Sequence, residues 1–342
     1  MASTKRYTLH QRVSFFVDWV SPEAAREDET RCRADNIRTA IKAMAMADNL
    51  TIRSTPSSGS FATRTGLRRH MRGDSEVEGL DVDLPFVVSP VTKDDEVLKN
   101  LLDRFAKYAE AAYARTARER TKSSIKLLFE DNLNFDLVPL LATKDPDRQI
   151  LIRADGERRE TSVQKHVEFV KSRTRRSADV AGAVQFNDMV RLLKWFRCVK
   201  QSDTASEPLS DVASFLVNLL SAHAFDARRV QPQYGHTLAD WFGFLARGVT
   251  RRAVVAFTDF LPAPVAAASD QWWVYDPLNR DNNLVAHWGK LDADEFAEWL
   301  AAARDNLYDA ITAFEAGRES DGLDAMTEVF GNAFLNHSEP PR

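Results

Sequence analysis

Apolar and acidic residues alternate in GLDVDLPFVV, residues 79–88, with Val82 and Leu84 falling between and after Asp81 and Asp83. A period of two predicts a strand with Val82 and Leu84 toward a core and both carboxylates on the opposite face. Residues 135–141 form a second apolar run, interrupted only by Asp136 as an acidic residue, and predict a neighbouring strand. Shorter strands are expected at Thr51–Ser54, Ser123–Phe129 and Gln149–Arg153. Helix formers dominate residues 8–48, and Ile37, Ala40, Ile41, Met44 and Ala45 recur at the spacing of one helical face, which predicts a long packing helix. A charged helical pattern runs from Asp94 to about Arg120.

Beyond about Thr161 strands become scarce. Helical periodicity covers Val163–Arg173, Val184–Lys200, Asp211–Phe225, His236–Arg247, Ala293–Ala316 and Leu323–Leu335, with strand-like exceptions at Ala253–Thr258 and Gln271–Asp276. The fold class is therefore α+β: a mixed domain over residues 1–180, including the N-terminal packing helix, and a mostly helical domain over residues 181–342.

Composition narrows the function classes. The 342 residues carry a formal net charge of −4, which argues against an extended basic surface for nonspecific nucleic-acid binding. Cys32 and Cys198 match no zinc or redox spacing, and the start MASTKRYTLHQRV lacks the apolar core of a signal peptide. No run approaches the ~20 apolar residues of a membrane span. These features lead to the expectation of a cytoplasmic protein.

The candidate chemistry gathers on acidic strands and a turn. Three carboxylates, Asp81, Asp83 and Asp136, offer the hard oxygen ligands that suit Mg²⁺, and a buried carboxylate is costly unless paired or metal-bound. Two such ions are able to activate an attacking hydroxyl and stabilise departing pyrophosphate, the chemistry of a metal-dependent nucleotidyltransferase. An isolated D-x-D pair is more often only the polar face of a strand. Here Gly59-Ser60, in PSSGS, adds a tight turn whose hydroxyl and backbone N–H groups suit phosphate oxygens.

Other segments leave two readings open. Lys194, in VRLLKWFR, projects away from the stripe of Met189, Leu192, Phe196 and Val199, and either binds phosphate in a cleft or snorkels. Ser214-Phe215 offers a phosphate contact and a base-stacking ring, against core packing of the phenylalanine. Arg64, Arg68, Arg69, His70 and Arg72 form a basic cluster facing Asp74, Glu76 and Glu78 in sequence, read chiefly as a solvated loop. Asp276-Pro277 and Asn282-Asn283 read as turn chemistry.

Taken in order, Gly59-Ser60, Asp81-Val82-Asp83, Asp136 in FDLVP, Lys194 in LLKWF, Ser214-Phe215 before VNLL, and Asp276-Pro277 with Asn282-Asn283 resemble the bacterial cGAS/DncV-like nucleotidyltransferases of CBASS antiphage defence. The wording SGSFATRTGLRRHMRGDSEVEG before DVDLPFVV looks most like clade G. The resemblance implies a polymerase-β-like core joined to a helical domain of the oligoadenylate-synthase type, with the active site between them. It implies two Mg²⁺ ions, replaceable by Mn²⁺, on Asp81, Asp83 and Asp136. Gly59, Ser60, Lys194 and Ser214 would hold the donor triphosphate, and Phe215 would stack on a base.

The implied activity is synthesis of a cyclic oligonucleotide from NTPs, with a purine cyclic dinucleotide of the cGAMP type made from ATP and GTP, to activate a separate effector. A monomer with no membrane and no stable nucleic-acid partner is expected. Two alternatives compete: a template-independent enzyme that extends RNA, which would need a basic RNA path, and a catalytically silent nucleotide-binding protein, which would be favoured by loss of a carboxylate.

Overall fold

Pro22 divides the helix-forming N-terminal stretch. Ser21 precedes it in extended backbone (φ −71°, ψ 147°), as a residue before proline favours. In the computed structural model of the protein, α1 (Leu9–Val20) and α2 (Ala24–Ala47) therefore stand where residues 8–48 read as helix formers. A reciprocal pair of hydrogen bonds between Thr8 and Gln11 caps α1.

The structure describes residues 6–68, 70–72, 75–77, 81–89, 95–131, 133–264 and 271–340, with the side chains of residues 70–72, 75–77, 81 and 95–99 outside that description. After α2 come β1 (Ile52–Ser54), α3 (Gly59–Thr63), β2 (His70–Arg72), β3 (Ser75–Val77), β4 (Asp81–Val88) and α4 (Asp95–Ala112). Then follow β5 (Ala117–Arg120), β6 (Ile125–Leu128), β7 (Asn134–Ala142), β8 (Gln149–Ile152) and β9 (Arg158–Thr161). The remaining helices are α5 (Val163–Ala181), α6 (Phe186–Gln201), α7 (Glu207–Ser210), α8 (Ser214–Arg228), α9 (Tyr234–Thr250), α10 (Lys290–Glu315), α11 (Glu319–Phe330) and α12 (Asn332–His337).

Two compact units emerge, residues 22–169 and residues 1–21 with 170–342. The grouping differs from a boundary at residue 180 in two ways: the division falls within α5, and α1 joins the C-terminal helices. Packing explains the second difference. The Phe16 ring lies 5.6 Å from that of Trp195, 5.5 Å from Phe330 and 5.2 Å from Phe334. Buried Arg12 pairs with Glu319.

In the unit of residues 22–169, the principal sheet runs β1-β4-β7-β6-β5, with β8 beside the far half of β7 and β9 beside β8. The β4 and β7 pair is parallel, and the other pairs are antiparallel. Alternation holds on both central strands: Val82, Leu84 and Phe86 with Phe135 and Leu137 enter one core, where Ile37 and Ile41 of α2 and Leu101, Leu102 and Phe105 of α4 cover them.

The unit of residues 1–21 and 170–342 is helical. Phe186, Phe225 and Trp241 pack between α6, α8 and α9. The segments Ala253–Thr258 and Gln271–Asp276 do not form strands; they meet through a single parallel bridge between Val255 and Val274. No described helix is long and apolar enough to cross a membrane. Among the described residues, Cys32 and Cys198 form no disulfide.

Candidate active site

The parallel register of β4 and β7 places Asp83 directly beside Asp136, and Asp81 beside Asn134. Neighbouring strands lie about 4.8 Å apart, so the two partly exposed carboxylates share one stretch of sheet surface. Two carboxylates this close repel when ionised unless a cation lies between or beside them. The side chain of Asp81 lies outside the described residues; its backbone stands two positions before Asp83 on the same strand.

The turn before α3 closes over this surface. Gly59 adopts φ +66°, in the left-handed region that an L side chain rarely enters. A Cβ there would overlap Asp83 Oδ2 and lie 3.4 Å from its Cγ. Thus backbone at Gly59-Ser60 approaches Asp83 closely because residue 59 has no side chain. The Thr63 hydroxyl donates back to Gly59 O at 3.0 Å, and Thr65 N donates to Ser60 O at 3.0 Å, which holds the turn.

Two residues near the carboxylates escaped the sequence reading. Ser124, buried at 5% exposure, donates to Asp136 Oδ1 at 2.6 Å. Lys126 on β6 stands opposite Asp136 in register, and Asp83, Asp136, Lys126 and Glu119 form one row across four strands. The available signal was the alternation of β6, which sets Lys126 between buried Ile125 and Leu127 and so on the carboxylate face.

The donor set fits a hard divalent cation: carboxylate oxygens in register, with one oxygen oriented by a hydroxyl. Among the described residues, no group of three His, Cys, Asp or Glu forms a cation cluster by itself.

The other candidate residues lie in the second unit. Lys194 is 1% exposed in the middle of α6, so it does not snorkel to solvent. One turn later, buried Arg197 donates from Nη1 to Ser214 Oγ at 2.8 Å and to Val212 O at 3.0 Å. This arginine fixes the start of α8, where Ser214 and Phe215 are both partly exposed while Leu216 and Val217 are buried. Asp276 accepts from Leu278 N at 2.8 Å, and Asn283 Oδ1 accepts from Val285 N at 3.2 Å, each an Asx turn, while Asn283 Oδ1 also accepts from Val274 N at 3.0 Å. The turn chemistry read for both pairs is thus what these side chains carry out.

Of the basic cluster, Arg68 pairs with Glu23 and Arg64 caps α3 in a left-handed conformation. Arg69, Asp74 and Glu78, and the side chains of His70, Arg72 and Glu76, lie outside the described residues.

The sequence and fold are similar to those of known proteins. Residues 8–173 match the Second Messenger Oligonucleotide or Dinucleotide Synthetase domain. The chain is 25% identical over 334 residues to a cyclic AMP-AMP-AMP synthase of Escherichia coli strain MS 115-1, covering 95% of this chain and 97% of that protein. It is 26% identical over 318 residues to a CBASS oligonucleotide cyclase CdnC of Escherichia coli strain KTE188, covering 90% and 91% respectively. The structure of a CdnC:HORMA-deltaN complex from E. coli MS115-1 superposes with a TM-score of 0.77 at 24% identity, over 97% of this chain and 99% of that one. The structural likeness shows a polymerase-β-like nucleotidyltransferase fold, and residues 8–173 of this chain belong to the Second Messenger Oligonucleotide or Dinucleotide Synthetase domain family.

Proposed function

We propose that this chain joins purine NTPs into a cyclic oligonucleotide, releasing pyrophosphate at each bond. The observation that carries the reading is the pairing of Asp83 with Asp136 across parallel strands, with the Gly59 backbone against Asp83. Asp81, Asp83 and Asp136 would hold the metal. Bound there, two Mg²⁺ ions would favour ionisation of the attacking hydroxyl and offset charge on the departing pyrophosphate.

The remaining residues position substrate. The Ser60 hydroxyl and turn N–H groups receive phosphate oxygens; for Lys194 and Ser214 the family resemblance implies contact with the donor triphosphate, and for Phe215 stacking on a base. A ribose hydroxyl attacks the α-phosphorus of the donor; a P–O bond forms there as the bond to pyrophosphate breaks, and the hydroxyl proton leaves to solvent. A second attack within the linear intermediate closes the ring. The product serves to activate an effector protein.

The clade G wording around residues 58–88 favours a cyclic dinucleotide of the cGAMP type. A second reading, a cyclic trinucleotide of adenosine, is favoured by likeness to the E. coli cyclic AMP-AMP-AMP synthase. Pyrophosphate release separates turnover from simple binding: with ATP and GTP in Mg²⁺ the protein should release it, and EDTA or Asp136→Asn should abolish release. Persistence of release in both would sink the proposed site.

A further inference from the structure

The hairpin joining β5 to β6 carries a hydroxyl relay that ends on a proposed metal ligand. Ser124 is the last residue before β6, 5% exposed, and its Oγ lies 2.6 Å from Asp136 Oδ1. That distance is in the short range of a hydroxyl donating to a carboxylate. An ionised carboxylate only accepts, so the Ser124 proton points at Asp136. Ser124 Oγ also lies 2.8 Å from Thr121 Oγ1, and with its own proton committed it accepts from Thr121. The threonine is fixed in turn: its Oγ1 accepts from Ser124 N at 2.9 Å and Ser123 N at 3.2 Å, and its N donates to Ser124 O at 3.0 Å.

These bonds give Ser124 little rotational freedom. A serine in a generic turn has water as an alternative partner; this one is buried and aimed at a carboxylate twelve residues further along the chain, on the adjacent strand. We propose that Ser124 is a positioning residue, which fixes the rotamer of Asp136 so that its carboxylate meets a divalent cation without reorganising, with Thr121 orienting Ser124. The inference rests on Asp136 as a metal ligand. Hydrogen bonds of this outer kind typically set metal affinity by about 10- to 100-fold.

The test uses the full chain, with Mn²⁺ as probe, followed by electron paramagnetic resonance in the presence of a non-hydrolysable ATP analogue. Ser124→Ala should weaken Mn²⁺ binding by about 10- to 100-fold and raise the metal concentration for half-maximal turnover, with an unchanged thermal midpoint. Ser124→Thr, which retains the hydroxyl, should restore binding. Asp136→Asn is the control: if it loses Mn²⁺ while Ser124→Ala binds as the parent does, the positioning role is wrong and the metal site stands. If both bind as the parent does, the metal site itself is wrong. Should Ser124→Ala misfold, Thr121→Val decides: it should weaken Mn²⁺ in the same direction by a smaller factor, and unchanged binding would overturn the relay.

Discussion

Gly59 and Asp83 share a space that admits no side chain at position 59: a Cβ there would overlap the carboxylate oxygen Oδ2. The close approach couples the proposed phosphate turn to a proposed metal ligand. Gly59→Ala should therefore act twice. The left-handed φ of +66° costs about 1–2 kcal/mol with a Cβ present, and Asp83 must move. Product formation should fall much further than this loss of stability explains, measured as initial rate against the urea midpoint. A variant with near-parental activity would show that the contact has no catalytic consequence.

The carboxylates give a second prediction. Replacing Asp81 and Asp83 together by asparagine keeps shape and removes two charges, so pyrophosphate release should drop to background while circular dichroism stays parental. Undiminished incorporation of nucleotide by a folded double variant would contradict the metal assignment.

Lys194 offers a third. Its 1% exposure means that Lys194→Ala would open a cavity as well as remove charge, so Lys194→Met, close in length, is the cleaner substitution. A hydrogen bond to a charged group contributes about 1.5–3 kcal/mol, so NTP affinity should weaken by roughly 10- to 150-fold. Fluorescent-NTP titration measures it. Equal affinity would make Lys194 a packing residue.

A fourth prediction concerns pH. His223 packs beside Phe244 in a tilted ring pair, with centroids 5.0 Å apart, and burial holds its pKa below the ordinary value of 6.5 although Asp226 pulls the other way. The unfolded chain then binds the proton first as pH falls, so the contribution of His223 to stability is present above pH 6.5 and lost as pH drops through the folded value. Burial raises the pKa of Asp188, which gives the opposite slope below its folded value, so the comparison must be between variant and parent. From pH 7.5 to 5.5, the urea midpoint of His223→Gln should fall less than that of the parent; an equal fall would remove His223 as the cause.

Much of the architecture was legible because it is written in local periods. The alternation around Asp81 and Asp83 became β4, the apolar run of residues 135–141 became β7, and the apolar stripes after residue 181 became helices. What escaped depends on partners distant in sequence. β5 has the sequence ARER and is largely exposed at an edge, so its charges continued the helical pattern of α4 until β6 paired with it. β9, RRET, is the same case beside β8. The grouping of α1 with the C-terminal helices rests on Phe16 meeting Trp195 and Phe330, contacts with no local trace. Within the proposed site, carboxylate spacing pointed to Asp83 and Asp136, whereas the bond from Ser124 required the register of β6 against β7.

Product identity tests the central claim most directly. The purified chain is incubated with all four NTPs and Mg²⁺, the mixture is treated with phosphatase, and the survivors are identified by mass spectrometry. A linear intermediate loses its terminal phosphates to phosphatase, whereas a ring has none to lose. The account predicts a phosphatase-resistant cyclic purine oligonucleotide made without nucleic-acid template, its mass distinguishing the dinucleotide from the trinucleotide. Products that are wholly phosphatase-sensitive, or that grow into a ladder of long RNA, would contradict it.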